Sequence, residues 1–293
     1  MKLDGTTVNV LTLLREGVGR LEGSGLPSAR HDAERLLASL LGTTRLALYL
    51  ERDRLVAPET AETYHALLER RADHEPLQYL LTEDEFCGLS LMVRPGVFIP
   101  RPETELLVER ILAALPAVAN GERWGADLGT GTGCIALALC HRRADLRIVA
   151  VDRSHDAVSL ARENAERLSL SDRVEIRQGD LWEPVQDLRG RLDLVVSNPP
   201  YIARELLAEL PGEVLDYEPP LALDGGPGVT ELHERVIRGA ADFLKPGGLL
   251  AMELGLGQAE RLVAASAGAG AFTDIATVPD LLGIQRVLTA RRI

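Results

Sequence analysis

Cysteine, aromatic residues, lysine and long apolar runs are all scarce in this 293-residue chain. Its three cysteines, Cys87, Cys134 and Cys140, form neither a CxxC pair nor an even set. That argues against a thiol zinc site and a disulfide framework, and predicts reduced thiols in a cytoplasmic protein. No His, Cys, Asp or Glu cluster has ligand spacing, so no metal is expected. No apolar stretch approaches the roughly 20 residues of a membrane span. The segment after Met1 contains Asp4, Asn9 and Arg15 and does not read as a signal peptide. Basic residues are outnumbered 32 to 44, a formal charge of −12, which leaves no general basic footprint for stable nucleic-acid binding. Only Lys2 and Lys245 are lysine, a coding bias toward arginine rather than selection for bidentate anion contacts. What is present is an ordinary globular composition, 46% hydrophobic, in a chain long enough to predict two domains.

Two textures divide the sequence. Up to about Leu81 the apolar spacing is helical and no strand is evident. Val8, Leu11, Leu14, Val18 and Leu21 predict a helix capped by Thr7, and Ser28 opens a second with Ala33, Leu36, Leu37, Leu40 and Leu41. A third follows Thr43, and Pro58 starts a fourth carrying Tyr64, Leu67 and Leu68. These predict a small helical bundle. Residues 86–93 then read as a hairpin. A helix follows Pro100 and Pro102, and strands and helices alternate from Trp124. Strands are predicted at 124–127, 147–152, 174–177, 192–197 and 249–253, with a closing pair at 272–278 and 285–290. Helices are predicted at 134–141, 154–168, 228–244 and 258–265. The pattern is that of an α/β, Rossmann-like, doubly wound and mostly parallel sheet.

Asp127-Leu128-Gly129-Thr130-Gly131-Thr132-Gly133 falls between the first strand of this region and its helix, at the sheet edge where such folds bind ligands. Three glycines allow a tight turn and close approach of backbone to ligand. A shifted register from Gly131 also satisfies a dinucleotide fingerprint, as a nicotinamide oxidoreductase would have. Asp127 opening the loop would repel a pyrophosphate but attract an ammonium group, which favours S-adenosylmethionine. Asp152, ending the second strand, has the position of a carboxylate that accepts both ribose hydroxyls; it also stands next to the cap of the following helix. Asp180 and Trp182 follow the third strand at the same edge. They are candidates for the adenine amino group and ring, with core packing the other role for Trp182.

Asn198-Pro199-Pro200-Tyr201 follows the fourth strand. Asn198 and Pro199 each precede a proline and are held extended, while each proline fixes its own φ. The stiff turn can aim the Asn198 side-chain oxygen and the Pro199 carbonyl at both hydrogens of a planar NH2 group, with Tyr201 as a flat wall. Accepting those hydrogens raises electron density on a delocalised nitrogen and fixes it for in-line attack on a methyl group. A DNA adenine-N6 methyltransferase would use the same tetrapeptide, but on a flipped base in a basic channel.

The run Phe98-Ile99-Pro100-Arg101-Pro102-Glu103-Thr104-Glu105, the loop from Asp127 to Gly133 and the run Asn198 to Ile202 together resemble peptide chain release factor N5-glutamine methyltransferases. Glu218-Pro219, Leu223 to Gly228, Lys245-Pro246-Gly247-Gly248 and Asp280-Leu281-Leu282-Gly283 extend the resemblance over nearly the whole chain. It implies a class I methyltransferase domain at 102–293, a hairpin linker at 83–101 and a helical substrate-docking domain at 1–82. It also implies that the side-chain amide of the glutamine in a Gly-Gly-Gln loop is methylated, with S-adenosylhomocysteine as co-product. Asn198, Pro199 and Tyr201 would grip and cover the amide, with Pro200, Arg101 and Glu103 at the substrate. Asp127, Gly129, Thr130, Gly131, Thr132, Gly133, Asp152, Asp180, Trp182 and Asn198 would surround S-adenosylmethionine. A ribosomal-protein glutamine methyltransferase is the nearest alternative. Thr82 and Cys87 stand where the family usually has a glycine and an aromatic, and the Gly225-Gly226-Pro227-Gly228 loop is a residue short.

Overall fold

The computed structural model describes residues 8–116 and 121–293; Thr7, the expected first cap, lies outside them. The chain forms two compact units. One is Met1–Thr82 with Pro211–Tyr217, the other Glu83–Leu210 with Glu218–Ile293.

Numbered along the chain, the first unit holds β1 (Val8–Asn9), α1 (Val10–Glu22), α2 (Ala29–Leu40), α3 (Arg45–Leu50), β2 (Leu55–Val56), α4 (Pro58–Ala72), α5 (Leu77–Leu81) and the later turn α9 (Gly212–Leu215). Its apolar stripes meet in a separate core that includes Leu13, Leu36, Leu37, Tyr64 and Leu68. The expectation of no strand here is corrected by the antiparallel pair Val8↔Val56 and Asn9↔Leu55. Two residues are too few to show a period. The pairing runs on into Val10 and Leu11, whose N–H groups donate to the carbonyls of Arg54 and Arg52. These are unpaired first-turn donors of α1 that need partners. The cap of α1 is Asn9, whose side chain accepts from Thr12 N at 2.9 Å, so Val8 lies before the helix. The return of residues 211–217 to this unit had no local sequence signal.

The second unit holds β3 (Glu83–Phe86), β4 (Leu89–Met92), α6 (Pro102–Ala114), β5 (Arg123–Leu128), α7 (Cys134–Arg142), β6 (Leu146–Asp152), α8 (His155–Arg167), β7 (Val174–Gln178), β8 (Leu192–Ser197), α10 (Glu231–Phe243), β9 (Leu244–Glu253), α11 (Ala259–Gly268), β10 (Phe272–Pro279) and β11 (Gln285–Arg292). The seven-stranded sheet has the order β10-β11-β9-β8-β5-β6-β7. Pairings from β9 to β7 are parallel, and β11 and β10 close the edge antiparallel. Successive residues alternate between two cores. Ile148, Ala150, Leu194 and Val196 face α6, α7 and α8, whereas Val149, Val151 and Val195 face α10 and α11. Burial on both faces explains the nearly continuous apolar strands.

The β3–β4 hairpin turns through Cys87 and Gly88, both at positive φ, as a two-residue primed turn requires. It packs into this unit: Cys87 N donates to Glu105 Oε1, and Met92 N to Asn164 Oδ1, each at 2.7 Å. Several boundaries differ from the sequence reading, two of them at the starts of α10 and β9. The helix expected from Gly228 begins at Glu231, and β9 begins at Leu244 instead of Leu249. Leu192 pairs with Leu244, but Leu194 pairs with Leu249. The extra residues Lys245-Pro246-Gly247-Gly248 are absorbed as an irregularity, where proline and a positive-φ glycine are tolerated.

Candidate active site

β5 and β8 lie side by side and parallel, with Leu128 opposite Ser197. The glycine-rich loop and the Asn198 turn therefore leave the same edge from neighbouring strands. Ser197 Oγ locks them by donating to the Leu128 carbonyl at 2.6 Å. β6 and β7 lie on one side of β5, and β8 and β9 on the other. The junction is thus the topological switch point, where the crevice of a doubly wound sheet opens.

Gly129, Gly131 and Gly133 all adopt positive φ, at 77°, 56° and 84°, a conformation glycine takes without steric cost. Gly129 N and Thr130 N both donate to the Val151 carbonyl, at 2.8 and 3.0 Å. Gly131 N donates to Asp152 Oδ2 at 2.9 Å, and Ser154 N donates to Asp152 Oδ1 at 2.9 Å. Asp152 thus fastens the loop to β6 while keeping lone pairs on both oxygens. The cap of α8 is Ser154, which accepts from Ala157 N. Asp127 is fully buried beneath the loop, and its Oδ2 accepts from Thr130 Oγ1 at 2.6 Å. Its Oδ1, like Thr132 Oγ1, is buried without a direct partner. Burial pushes the Asp127 carboxyl up to about 7, against the Thr130 hydroxyl and Ala136 N–H, which pull it down. A buried acid carrying an unpaired oxygen beside two open glycines, Gly129 and Gly131, suits a cationic group attached to a nucleoside. The residues therefore fit the expected cofactor.

Asp180 and Trp182 are engaged with α10. Asp180 Oδ2 pairs with Arg235 at 2.6 Å. The Trp182 ring stacks on Phe243 at 4.5 Å, and its indole N–H donates to the Arg235 carbonyl at 3.2 Å. Both stand at the end of β7, but among the described residues no direct hydrogen bond joins them to the glycine loop.

Asn198 Nδ2 donates to Thr104 Oγ1 at 3.2 Å. Thr104 is in the first turn of α6 and is buried. The Tyr201 hydroxyl donates to Glu253 Oε1 at 3.3 Å, and its backbone carbonyl accepts from Gln258 Nε2 at 3.0 Å. Burial raises the Tyr201 phenol above its ordinary value. Gly225 packs over this turn: a Cβ there would lie 2.8 Å from the Val229 carbonyl and 3.1 Å from the Tyr201 backbone. Arg101 occupies the position before the first turn of α6; its guanidinium lies 4.9 Å over the Phe98 ring and pairs with the buried carboxyl of Glu218. Glu103 is exposed on the same first turn. Thr104, Gln258 and Glu253 were not identified as site residues from sequence. Each is an isolated polar residue at an element end, and only tertiary folding brings it to the turn.

Among the described residues, no group of three or more His, Cys, Asp and Glu side chains could hold a metal ion, and no helix is long and apolar enough to cross a membrane. All three cysteines are free.

A mostly parallel sheet ending in an antiparallel pair, with a glycine-rich loop at its switch point, defines a Rossmann-like, S-adenosylmethionine-dependent methyltransferase. Comparisons with known proteins agree. Residues 12–81 match the PrmC N-terminal domain and residues 89–210 the methyltransferase small domain. A release factor glutamine methyltransferase of Geobacter sulfurreducens is 42% identical, covering 93% of each chain. One from Moorella thermoacetica is 40% identical over 95% of this chain and 97% of its own. The solved structure of a methyltransferase from Pyrococcus furiosus shares the fold, with a TM-score of 0.51 at 18% identity, covering 70% of this chain and 89% of that one. The chain belongs to the release factor glutamine methyltransferase family.

Proposed function

We propose that the protein methylates the side-chain amide nitrogen of the glutamine in the Gly-Gly-Gln loop of peptide chain release factors, acting in the cytoplasm without a metal. The observation that carries this reading is Asn198-Pro199-Pro200-Tyr201 leaving β8 beside the glycine loop, with the Asn198 NH2 group turned onto Thr104. That bond leaves Asn198 Oδ1 as an acceptor. Oδ1 and the Pro199 carbonyl take the two hydrogens of the glutamine amide and set its plane, and Pro200 stiffens the turn between them. Tyr201, held at both ends by Glu253 and Gln258, packs on that plane. S-adenosylmethionine, when bound, supplies an electrophilic methyl group. Asp127, the Gly129–Gly133 backbone with Thr130 and Thr132, and Asp152 hold it, with Asp180, Trp182 and Asn198 bordering it. Arg101 and Glu103, at the start of α6, face the protein substrate, and the helical unit helps dock it. The acidic surface, −12 overall, disfavours duplex DNA, and we assign no stable nucleic-acid partner.

The test offers recombinant release factor, ribosomal protein and duplex DNA side by side with labelled cofactor. Transfer to release factor is expected, with mass spectrometry placing the methyl group on the Gly-Gly-Gln glutamine. Labelling of DNA or ribosomal protein alone would overturn the assignment. Asn198→Ala removes an oxygen aimed at the transition state and should lower kcat about 100-fold or more, with cofactor affinity changed only a few-fold.

A further inference from the structure

Asn198 can serve an NH2 acceptor only in one of its two amide orientations. Turned over, it would present its own NH2 to the substrate NH2, donor against donor. Something must therefore fix which end points where, and the residues behind Asn198 do so through a directional chain. Asn198 Nδ2 donates to Thr104 Oγ1 at 3.2 Å. Burial raises the Glu253 carboxyl, and hydrogen bonding from Thr104 and Tyr201 draws against that rise, which gives the one proton of the Thr104 hydroxyl an acceptor in this carboxyl. Only lone pairs are left on Thr104 to face Asn198, so Asn198 must present its NH2 to Thr104 and its oxygen elsewhere. Tyr201 Oη donates to Glu253 Oε1 at 3.3 Å, so one carboxyl at the end of β9 governs both functional side chains of the turn.

Glu253 is 2% exposed, and its backbone carbonyl is held by the buried His233 Nε2 at 3.0 Å. A buried carboxyl is retained against a desolvation penalty, and neither the fold nor the proposed cofactor contacts use this one. We infer that Glu253, acting through Thr104, is the positioning residue that sets the polarity of Asn198 and anchors Tyr201, and so makes the turn selective for NH2 acceptors. The inference rests on the amide-methylation reading given above.

Three variants separate polarity from shape. Glu253→Gln keeps the size but places a donor beside Thr104. The Thr104 proton is then free to turn to Asn198, which reverses. Thr104→Val keeps the shape and deletes the relay, and Thr104→Ser keeps the relay. Glu253→Gln and Thr104→Val are expected to lower kcat on the acceptor about 10-fold to 100-fold, the scale of a misoriented catalytic group. Thr104→Ser should stay within a few-fold of the parent, and calorimetry should give all three nearly the parental affinity for S-adenosylmethionine. A second readout needs no acceptor. In nitrogen-15 spectra the Asn198 side-chain NH2 resonances, assigned by their loss in Asn198→Ala, should shift in Glu253→Gln and Thr104→Val and stay in place in Thr104→Ser. If Glu253→Gln or Thr104→Val binds cofactor normally and keeps parental kcat and parental Asn198 resonances, the relay is refuted. Should either variant fail to fold, the other two decide by the same resonances. If the parent protein does not methylate release factor, that sinks the substrate reading, while the NH2 resonances still decide the relay.

Discussion

Inside the glycine-rich loop Asp127 has lost contact with solvent, and burial raises its carboxyl from 3.8 to about 7. In the unfolded chain the same group titrates near the lower value. Between the two, the folded apo protein holds a proton that the unfolded chain has released, so this group's contribution to stability falls as pH rises through that window and is level outside it. Cofactor binding has the opposite sign. An ammonium group brought to Asp127 favours the carboxylate and expels the proton, so affinity should rise with pH up to about 7 and then flatten. Titration calorimetry at about pH 6 in buffers of different ionisation enthalpy should show release of a fraction of a proton per cofactor bound. Asp127→Asn should abolish it. Equal heats in all buffers for the parent would show that Asp127 is not beside the ammonium group.

At the scale of the element, Thr82 is the unusual residue. It ends α5 at φ 59° and ψ 10°, a left-handed position where a β-branched side chain crowds the backbone and glycine is free of that cost. The left-handed conformation costs a non-glycine residue about 1–2 kcal/mol, and glycine gives back about 0.5–1 kcal/mol in unfolded-state entropy. Thr82→Gly should therefore stabilise the helical unit by roughly 0.5–1 kcal/mol, read as a raised denaturant midpoint with unchanged slope; a lowered midpoint would mean the threonine side chain contributes more than its strain. The departure at Thr82 was visible in sequence, but its φ was not. The β-α alternation was legible because each parallel strand is buried on both faces and each helix carries a stripe. The glycine loop and the Asn198 turn were legible as turns because glycines at positive φ and consecutive prolines dictate their own backbone. The β1–β2 pair, the irregular start of β9 and the Thr104–Glu253 relay were not, since each is settled by a partner far along the chain. The commitment of Asp180 and Trp182 to Arg235 and Phe243 depends on α10, more than 50 residues further on, which no local pattern records.

For the molecule as a whole, Arg71 shows how the helical unit gathers two stretches of chain. Its Nε donates to Asp32 Oδ2 at 2.8 Å, one terminal nitrogen to the Glu75 carbonyl at 3.0 Å, and the other pairs with Glu213 of the returning segment at 3.0 Å. Asp32 and Arg71 are both buried, whereas Glu213 is 42% exposed. The Asp32 pair therefore carries the larger consequence, and the Glu213 pair contributes at most about 1 kcal/mol. Arg71→Ala leaves the buried Asp32 carboxylate without its ion-pair partner, with only the Ser28 hydroxyl donating to it at 2.7 Å, and should destabilise the unit by about 3–5 kcal/mol. Adding Asp32→Ala removes the lone charge and should recover part of the loss. Both tryptophans, Trp124 and Trp182, belong to the sheet unit, so indole emission reports that unit alone, while far-ultraviolet dichroism reports every helix. Each unit has its own core, and units with separate cores can unfold separately. In Arg71→Ala an early loss of helical dichroism should therefore precede an unshifted tryptophan transition. A melt in which both signals move down together would show that the two units unfold as one.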